Sequence, residues 1–389
     1  MGEEKALAKS TYALRGTIRG ALPATHSPAV SPQSGGSNSR YVTRLWRPPA
    51  PTARTTSMRI GIAYDLKTDF DAPTSGPDDA LEEYDSPTTI DAIERALRSR
   101  GHEVSRLGGG RRFLAAMLEM PPELVFTISE GRGSRSREAH VPAVCEMLSV
   151  PHTHSDPLTM ALSLDKAMAK RVVAVAGVPT PRFAVVESAR DLATMSLEFP
   201  LFAKPLFEGS SMGIRKNSRI ANPGELDERV GTLLAHYAEP VLVEEYCNGA
   251  EFTVAVMGTG ASARVVAPME IVPKRTAVAD FVYSLEMKRS QTWRDEMEYI
   301  APPQRDARLV RAIEDVALNA HRALGCRDIA RIDVRIGRDG TPKFIEANPL
   351  PGIAPGWSDL AILWERIGRT YEDLVNGIVD EARARIGSR

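Results

Sequence analysis

The sequence predicts an α/β domain followed by an α+β region. Three observations carry that reading. From Met58 to about residue 155, strand and helix patterns alternate at the lengths that parallel βαβ units require. Beyond Gly177-Val-Pro-Thr-Pro181 the character changes to strands joined by turns, with few helices. Near the C-terminus, Asp339-Gly340 between two alternating runs is a two-residue hairpin signal.

Taken in order, Arg59 to Tyr64 reads as a buried strand. A helix follows, with Ser86 as N-cap, Pro87 at its first position, Ile90, Ile93 and Leu97 as its apolar stripe and Gly101 as its stop. Then come a strand from His102 to Leu107, a short helix from Phe113 to Leu118, and a strand from Leu124 to Ser129. A helix from Glu138 to Leu148 and a short strand from Val150 to Thr153 complete this part. A helix from Asp165 to Ala176 leads into strands at Phe183–Val186, 201–204, Val241–Glu245, Glu251–Met257 and 264–270. The clearest helix among them runs from Glu225 to His236. Helices over 306–324 and 371–384 flank the hairpin. The expected division is a basic, disordered extension over 1–57, an α/β domain over 58–160, a small domain over 161–246 and a C-terminal domain over 247–389.

Composition narrows the function classes. Hydrophobic content of 43% and charged content of 25% belong to a soluble globular chain, and a net charge of −1 gives no global pull toward nucleic acid. No apolar stretch reaches the about 18 residues a membrane span needs. The three cysteines, Cys145, Cys247 and Cys326, are odd in number and far apart, which fits free thiols in a reducing cytoplasm. Residues 1–57 carry eight Lys/Arg against two acids, with Ser, Thr, Pro and Gly and no sustained periodicity.

Chemistry concentrates in three places. The hairpin register sets Asp333 opposite Glu346 and Arg331 opposite Asn348. Facing carboxylates destabilise a sheet unless a cation lies between them or one keeps its proton. With the Asn348 amide they form a hard-oxygen set suited to Mg²⁺ or Mn²⁺; a solvated hairpin neutralised by Arg331 and Arg335 explains them equally well. Upstream, Lys204 ends a strand, and the loop that follows carries Gly209, Ser210, Ser211 and Gly213. Such a loop offers amide and hydroxyl donors to phosphate, with the lysine as a point charge, although most Gly/Ser loops are ordinary turns. Gly209-Ser-Ser-Met-Gly213 also matches a nucleophile elbow with Ser211 as nucleophile, but that motif requires a helix immediately afterwards, and no helical pattern starts before about Glu225. Third, a strand ends at Glu244-Glu245, and Glu251 opens the next. These acids suit an adenine amino group and ribose hydroxyls, or they are a solvated strand end.

In this order and spacing the three segments resemble the ATP-grasp superfamily and, within it, the D-alanine–D-alanine ligase family, from Met58 to the C-terminus. The resemblance implies an ATP-grasp fold: an N-terminal parallel βαβ domain and two α+β domains that clamp ATP. By position it makes Lys166 and Lys204 the phosphate-binding lysines and Ser210 the loop serine near the γ-phosphate, with Ser211 beside it. Glu244 and Glu245 lie at the adenine, Cys247 at the hinge whose backbone meets it, and Glu251 at the ribose. Lys288 reaches phosphate and substrate, Arg331 stabilises the reaction centre and Gly352 follows as a backbone donor. Asp333, Glu346 and Asn348 become the ligands of Mg²⁺ or Mn²⁺, taken as two ions. The implied reaction joins a carboxylate to an amine through an acyl phosphate. The expected partners are amino-acid or other small carboxylate substrates and a second copy in a homodimer, with no nucleic acid or membrane, in the cytoplasm. Alternatives are a ligase of other amino acids in peptide or natural-product synthesis, an ATP-binding regulatory protein, and the Ser211 hydrolase.

The chain departs from the family at substrate recognition. Ser129-Glu130-Gly131 stands where the family has His-Gly, and Arg289 stands where it has a tyrosine. Glu82, Glu83, Asp85 and Glu130 are the candidates for binding a substrate ammonium. Arg132, Arg135 and Arg137 read as a solvated helix start or as a preference for acidic substrates. Ser358 lies near the acceptor-carboxylate position, and His152 and His154 read as structural.

Overall fold

The computed structural model describes residues 57–70, 76–290 and 292–387, all inside one compact unit, Thr43–Arg389. The basic extension expected over 1–57 lies outside them except for its last residue. Three sheets organise the chain. The first is parallel, with β1 (Arg59–Ala63) between β2 (Glu103–Gly108) and β3 (Leu124–Thr127). Burial on both faces explains why β1 and β3 read as continuous apolar runs. Helix Pro87–Ser99 covers one side, starting where Ser86 accepts the Thr89 amide and burying Ile90, Ile93 and Leu97. Helix Gly110–Glu119 buries Phe113 and Met117 on the other. The strand expected at 150–153 shrinks to one bridge, His152 to Val125: Pro151 has no amide to donate, so pairing cannot propagate.

The second sheet is antiparallel, in the order β4 (Phe183–Val186), β7 (Val241–Glu245), β5 (Leu201–Pro205) and β6 (Arg219–Ile220). Helix Pro223–Tyr237 packs Leu226, Val230 and Leu233 on it. The third sheet is antiparallel too: β10 (Met297–Ile300), β9 (Arg264–Pro273), β8 (Glu251–Met257), β11 (Ile329–Ile336) and β12 (Pro342–Asn348). Helix Ala307–Ala323 closes one face through Ile313, Ala317 and Ala320. The opposite face meets helices Asp359–Arg366 and Tyr371–Gly387, and there it joins the core of the parallel sheet in one apolar cluster.

The hairpin pairs Asp333 with Glu346 and Arg331 with Asn348, as expected, but not through the two-residue turn on which that expectation rests. The Gly337 amide donates to the Thr341 carbonyl, closing a longer loop with Gly340 at φ +75°. The strands then run one residue out of the expected register, so Pro342 faces Ile336. A β-bulge between Phe344 and Glu346 restores it. Two offsets cancel before the acids are reached.

Helix Pro157–Leu164, capped by Asp156, and helix Asp359–Arg366 go unread in the sequence. The helix expected over 165–176 forms as Lys166–Val175 behind an Asp165 cap. After Gly213 the chain makes a 3₁₀ turn at Lys216–Ser218 and then β6, so the strand–turn–helix of a nucleophile elbow is absent.

Candidate active site

β5, β7, β8, β11 and β12 deliver their charged ends to one place. Lys204, fully buried at the end of β5, bonds Glu346 Oε2 on β12 at 3.0 Å and lies 3.5 Å from Glu244 Oε1 on β7. Burial opposes its charge, but Glu346 and Glu244 outweigh that and hold the ammonium above its ordinary pKa. Glu346 moves the other way. Burial opposes ionisation, yet Lys204, then Lys166 and Arg331, push its carboxyl below the usual range. Across the hairpin, Asp333 accepts two bonds from Arg331, at 3.1 and 2.9 Å, one from Thr253 Oγ1 at 2.5 Å and one from Asn348 Nδ2 at 3.2 Å. Each facing carboxylate thus has a cation beside it, which resolves the like-charge conflict of the bare hairpin.

Glu244 is held from its other side by Lys170, 2.7 Å away, with both side chains buried. Burial disfavours the Glu244 carboxylate, but Lys170 and Lys204 keep it ionised. Glu245 turns outward to Arg182 at 2.9 Å. Cys247 is buried, as are the other two free thiols, and burial pushes it up to about 11. Glu251 is raised by burial against the pull of Arg335. Lys166 donates to the Glu208 carbonyl at the foot of the glycine loop and lines neither cavity of the site. In that loop Ser210 and Ser211 take positive φ, 45° and 62°. Gly213 has φ +68°, and a Cβ there would meet Pro205 at 2.4 Å, so only glycine fits.

Two cavities meet at Ser210, Tyr283, Lys288, Arg331 and Asp359. The first runs past Lys204, Ser211, Glu244, Cys247, Glu251 and Glu346, and Asp333 and Glu245 also line it. The second, about 370 Å³, is bounded by Glu82, Asp85, Glu130, Asn348, Gly352 and Ser358. The first cavity and an acidic chamber therefore share one charged junction. The Lys288 ammonium stands 4.5 Å over the Tyr283 ring there, and the Arg331 guanidinium is kept charged by Asp333 and Asp359 against burial.

Sequence reasoning missed three groups of this site. Asp359 starts an apolar helix, accepts hydroxyls from Tyr283 at 2.9 Å and Tyr299 at 3.0 Å, and lies 3.9 Å from Arg331. Lys170, one turn after Lys166 on an Ala/Val face, was readable as a lysine on the buried side of a helix. Arg137 is not solvated: it binds Glu83 at 2.6 Å and Glu208 at 3.1 Å in a buried cluster. His152 and His154 are buried, lowered by desolvation to about 4 and about 3, and serve packing and hydrogen bonds. Glu130 and Glu138 stand at the chamber with raised pKa values, Glu138 to about 7, through burial and neighbouring carboxylates. Among the described residues no three His, Cys, Asp or Glu side chains gather as a metal site, and no helix is long and apolar enough to cross a membrane.

Comparison with known proteins bears on this geometry. A family model described as D-ala D-ala ligase C-terminus matches residues 172–380. An uncharacterized protein, y4sG of Sinorhizobium fredii, is 32% identical over 311 residues, covering 76% of this chain and 87% of that one. The D-alanine–D-alanine ligase of Bordetella petrii is 33% identical over 298 residues, covering 76% and 87%. Among solved structures, the D-alanine–D-alanine ligase of Bacillus anthracis complexed with ATP superposes with a TM-score of 0.62 at 19% identity, covering 86% of this chain and all of that one. The VanG D-Ala:D-Ser ligase of Enterococcus faecalis gives 0.62 at 20% identity, covering 84% and 99%. At that identity the likeness is one of fold, the ATP-grasp fold.

Proposed function

The protein belongs to the D-alanine–D-alanine ligase family, and we propose that it joins an amino-acid carboxylate to the amine of a second amino acid at the junction of the two cavities. It is an ATP-dependent carbon–nitrogen ligase. The observation that carries the site is the convergence of Lys204 and Arg331 on the facing pair Glu346 and Asp333, with Lys288 lining the same cavity, beside an acidic chamber.

The reaction is the one the family implies, set at that junction. A substrate carboxylate oxygen in the chamber attacks the γ-phosphorus, the bond to ADP breaks, and an acyl phosphate forms. The amine then attacks the acyl carbon and phosphate leaves with the former carboxylate oxygen. Charge builds on the transferred phosphoryl group and later on the tetrahedral oxygen, and neutralising it is the main catalytic task. Lys204 and Arg331 stay charged because carboxylates hold them so, and Gly352 offers a backbone donor at the acceptor side. Glu244 and Cys247 serve the adenine side and Glu251 the ribose. Lys166 acts through the Glu208 carbonyl, steadying the loop that presents Ser210 and Ser211.

Asp333, Glu346 and Asn348 supply hard oxygens on one hairpin face, a donor set that fits Mg²⁺ or Mn²⁺. Such an ion would neutralise phosphate charge. Joining two D-alanines is the nearest activity by family. Because Glu130, Glu138 and Asp85 line the chamber, another amino-acid pair is the second reading.

The test is release of ADP and phosphate over an amino-acid panel that includes D-Ala, with and without Mg²⁺. Stimulation by paired D-Ala supports the first reading, and stimulation only by another pair supports the second. No stimulation by any pair would contradict a ligase acting on amino acids.

A further inference from the structure

Three segments close over the joined cavities and each contributes to their lining: Glu82 and Glu83 from residues 76–85, Gly209 and Ser210 from the glycine loop, and Leu285 and Lys288 from the short helix Leu285–Arg289. The first segment grips the second, since Glu83 Oε1 accepts the Gly209 amide at 2.5 Å and Asp79 Oδ2 the Gly213 amide at 2.9 Å. The helix segment grips the second too, through the Leu285 amide to the Ile214 carbonyl at 3.0 Å.

Arg289 makes the third edge. Its Nη1 donates to Asp78 Oδ2 at 2.8 Å, and its Nη2 donates to the Asp78 carbonyl and to Glu82 Oε2, both at 3.1 Å. Asp78 also takes Arg215 of the glycine-loop segment, so one carboxylate ties all three segments. Hydrogen bonding to Arg289 holds the Asp78 carboxyl below its ordinary pKa.

The two layers of this closure differ in strength. Asp79 is buried and anchored by Tyr237, at 2.7 and 2.8 Å, and forms a fixed base. The Asp78 side chain is 65% exposed and that of Arg289 34%. Pairs in that setting are individually weak and screened by salt. Release of the outer layer would leave the inner one in place. Lys288 immediately precedes Arg289 on the same short helix, so what fixes Arg289 also fixes the backbone that carries Lys288.

We propose that Arg289 is a positioning residue: by pairing with Asp78 and Glu82 it fastens the segment bearing Lys288 over the joined cavities. The inference rests on the ligase reading, but one arm of its test does not need the amino-acid pair. That arm is tryptic cleavage after Lys288, followed by mass spectrometry, with and without a non-hydrolysable ATP analogue and Mg²⁺. The analogue should protect this bond in the wild type. In Asp78→Asn, which alters no tryptic site, the bond should be cut about fivefold faster with the analogue present. In the turnover arm, Arg289→Gln should lower kcat about tenfold with melting temperature unchanged, and Arg289→Lys should recover part of the loss. Raising NaCl should slow the wild type and leave Arg289→Gln nearly flat. Equal protection in Asp78→Asn, or a kcat and salt curve in Arg289→Gln that match the wild type, would overturn the assignment.

Discussion

Lys170 and Glu244 form the most enclosed ion pair near the nucleotide-side cavity, with side chains 0% and 4% exposed. Desolvating two charges consumes most of what their attraction provides, so the pair matters chiefly when one member is missing. Lys170→Met should destabilise the protein by about 3 kcal/mol in urea denaturation, because it leaves the buried Glu244 carboxylate only the more distant Lys204. Adding Glu244→Leu should return at least half of that, and strictly additive losses would contradict the pairing. Asp333 poses the opposite case. It keeps Arg331, Thr253 and Asn348 as neighbours, and replacing it with asparagine preserves shape. Asp333→Asn should cut turnover by about a hundredfold or more at nearly unchanged melting temperature. A loss of stability with turnover kept would make Asp333 structural.

Among the elements, the hairpin shows what alternation can and cannot reveal. That Asp333 and Glu346 lie on their strands' shared face was legible from the period-two pattern, but their pairing came out as expected only because the longer loop and the bulge cancel. The loop length and the bulge were not legible, since Asp-Gly suits longer turns as well and Phe344 carries no mark of the register change. Lys204 and the glycine loop were legible from residue type alone. Asp359 was not, because its role depends on Tyr283 and Tyr299 arriving from distant segments. The stretch 76–85 gave no periodicity, yet its acids hold the glycine loop. Asp85, in that stretch, illustrates a further cost. Burial pushes its carboxyl up to about 7. A raised acid contributes stability that is complete below its unfolded pKa and is lost as pH rises through the folded one. Asp85→Asn should therefore raise the melting temperature by a growing margin from about pH 4 to about pH 7, with a level margin above. A margin independent of pH would show that Asp85 titrates normally.

At the scale of the molecule, the ATP-grasp fold was readable because alternating and turn-rich stretches follow different periodicities, and three motif segments fell in the family's order. The shape of the acidic chamber was not readable: Glu82 and Asp85 come from the stretch 76–85, Glu130 and Glu138 from the region after β3, and nothing local aligns the two. The charged junction beside that chamber is where the two cavities meet. The central claim is that a substrate carboxylate attacks the terminal phosphate of ATP across that junction. Its most direct test is turnover of the stimulating amino acid labelled with ¹⁸O in its carboxylate, followed by mass spectrometry of the released phosphate. The account predicts one labelled oxygen in each phosphate formed. Unlabelled phosphate released in step with product would contradict it.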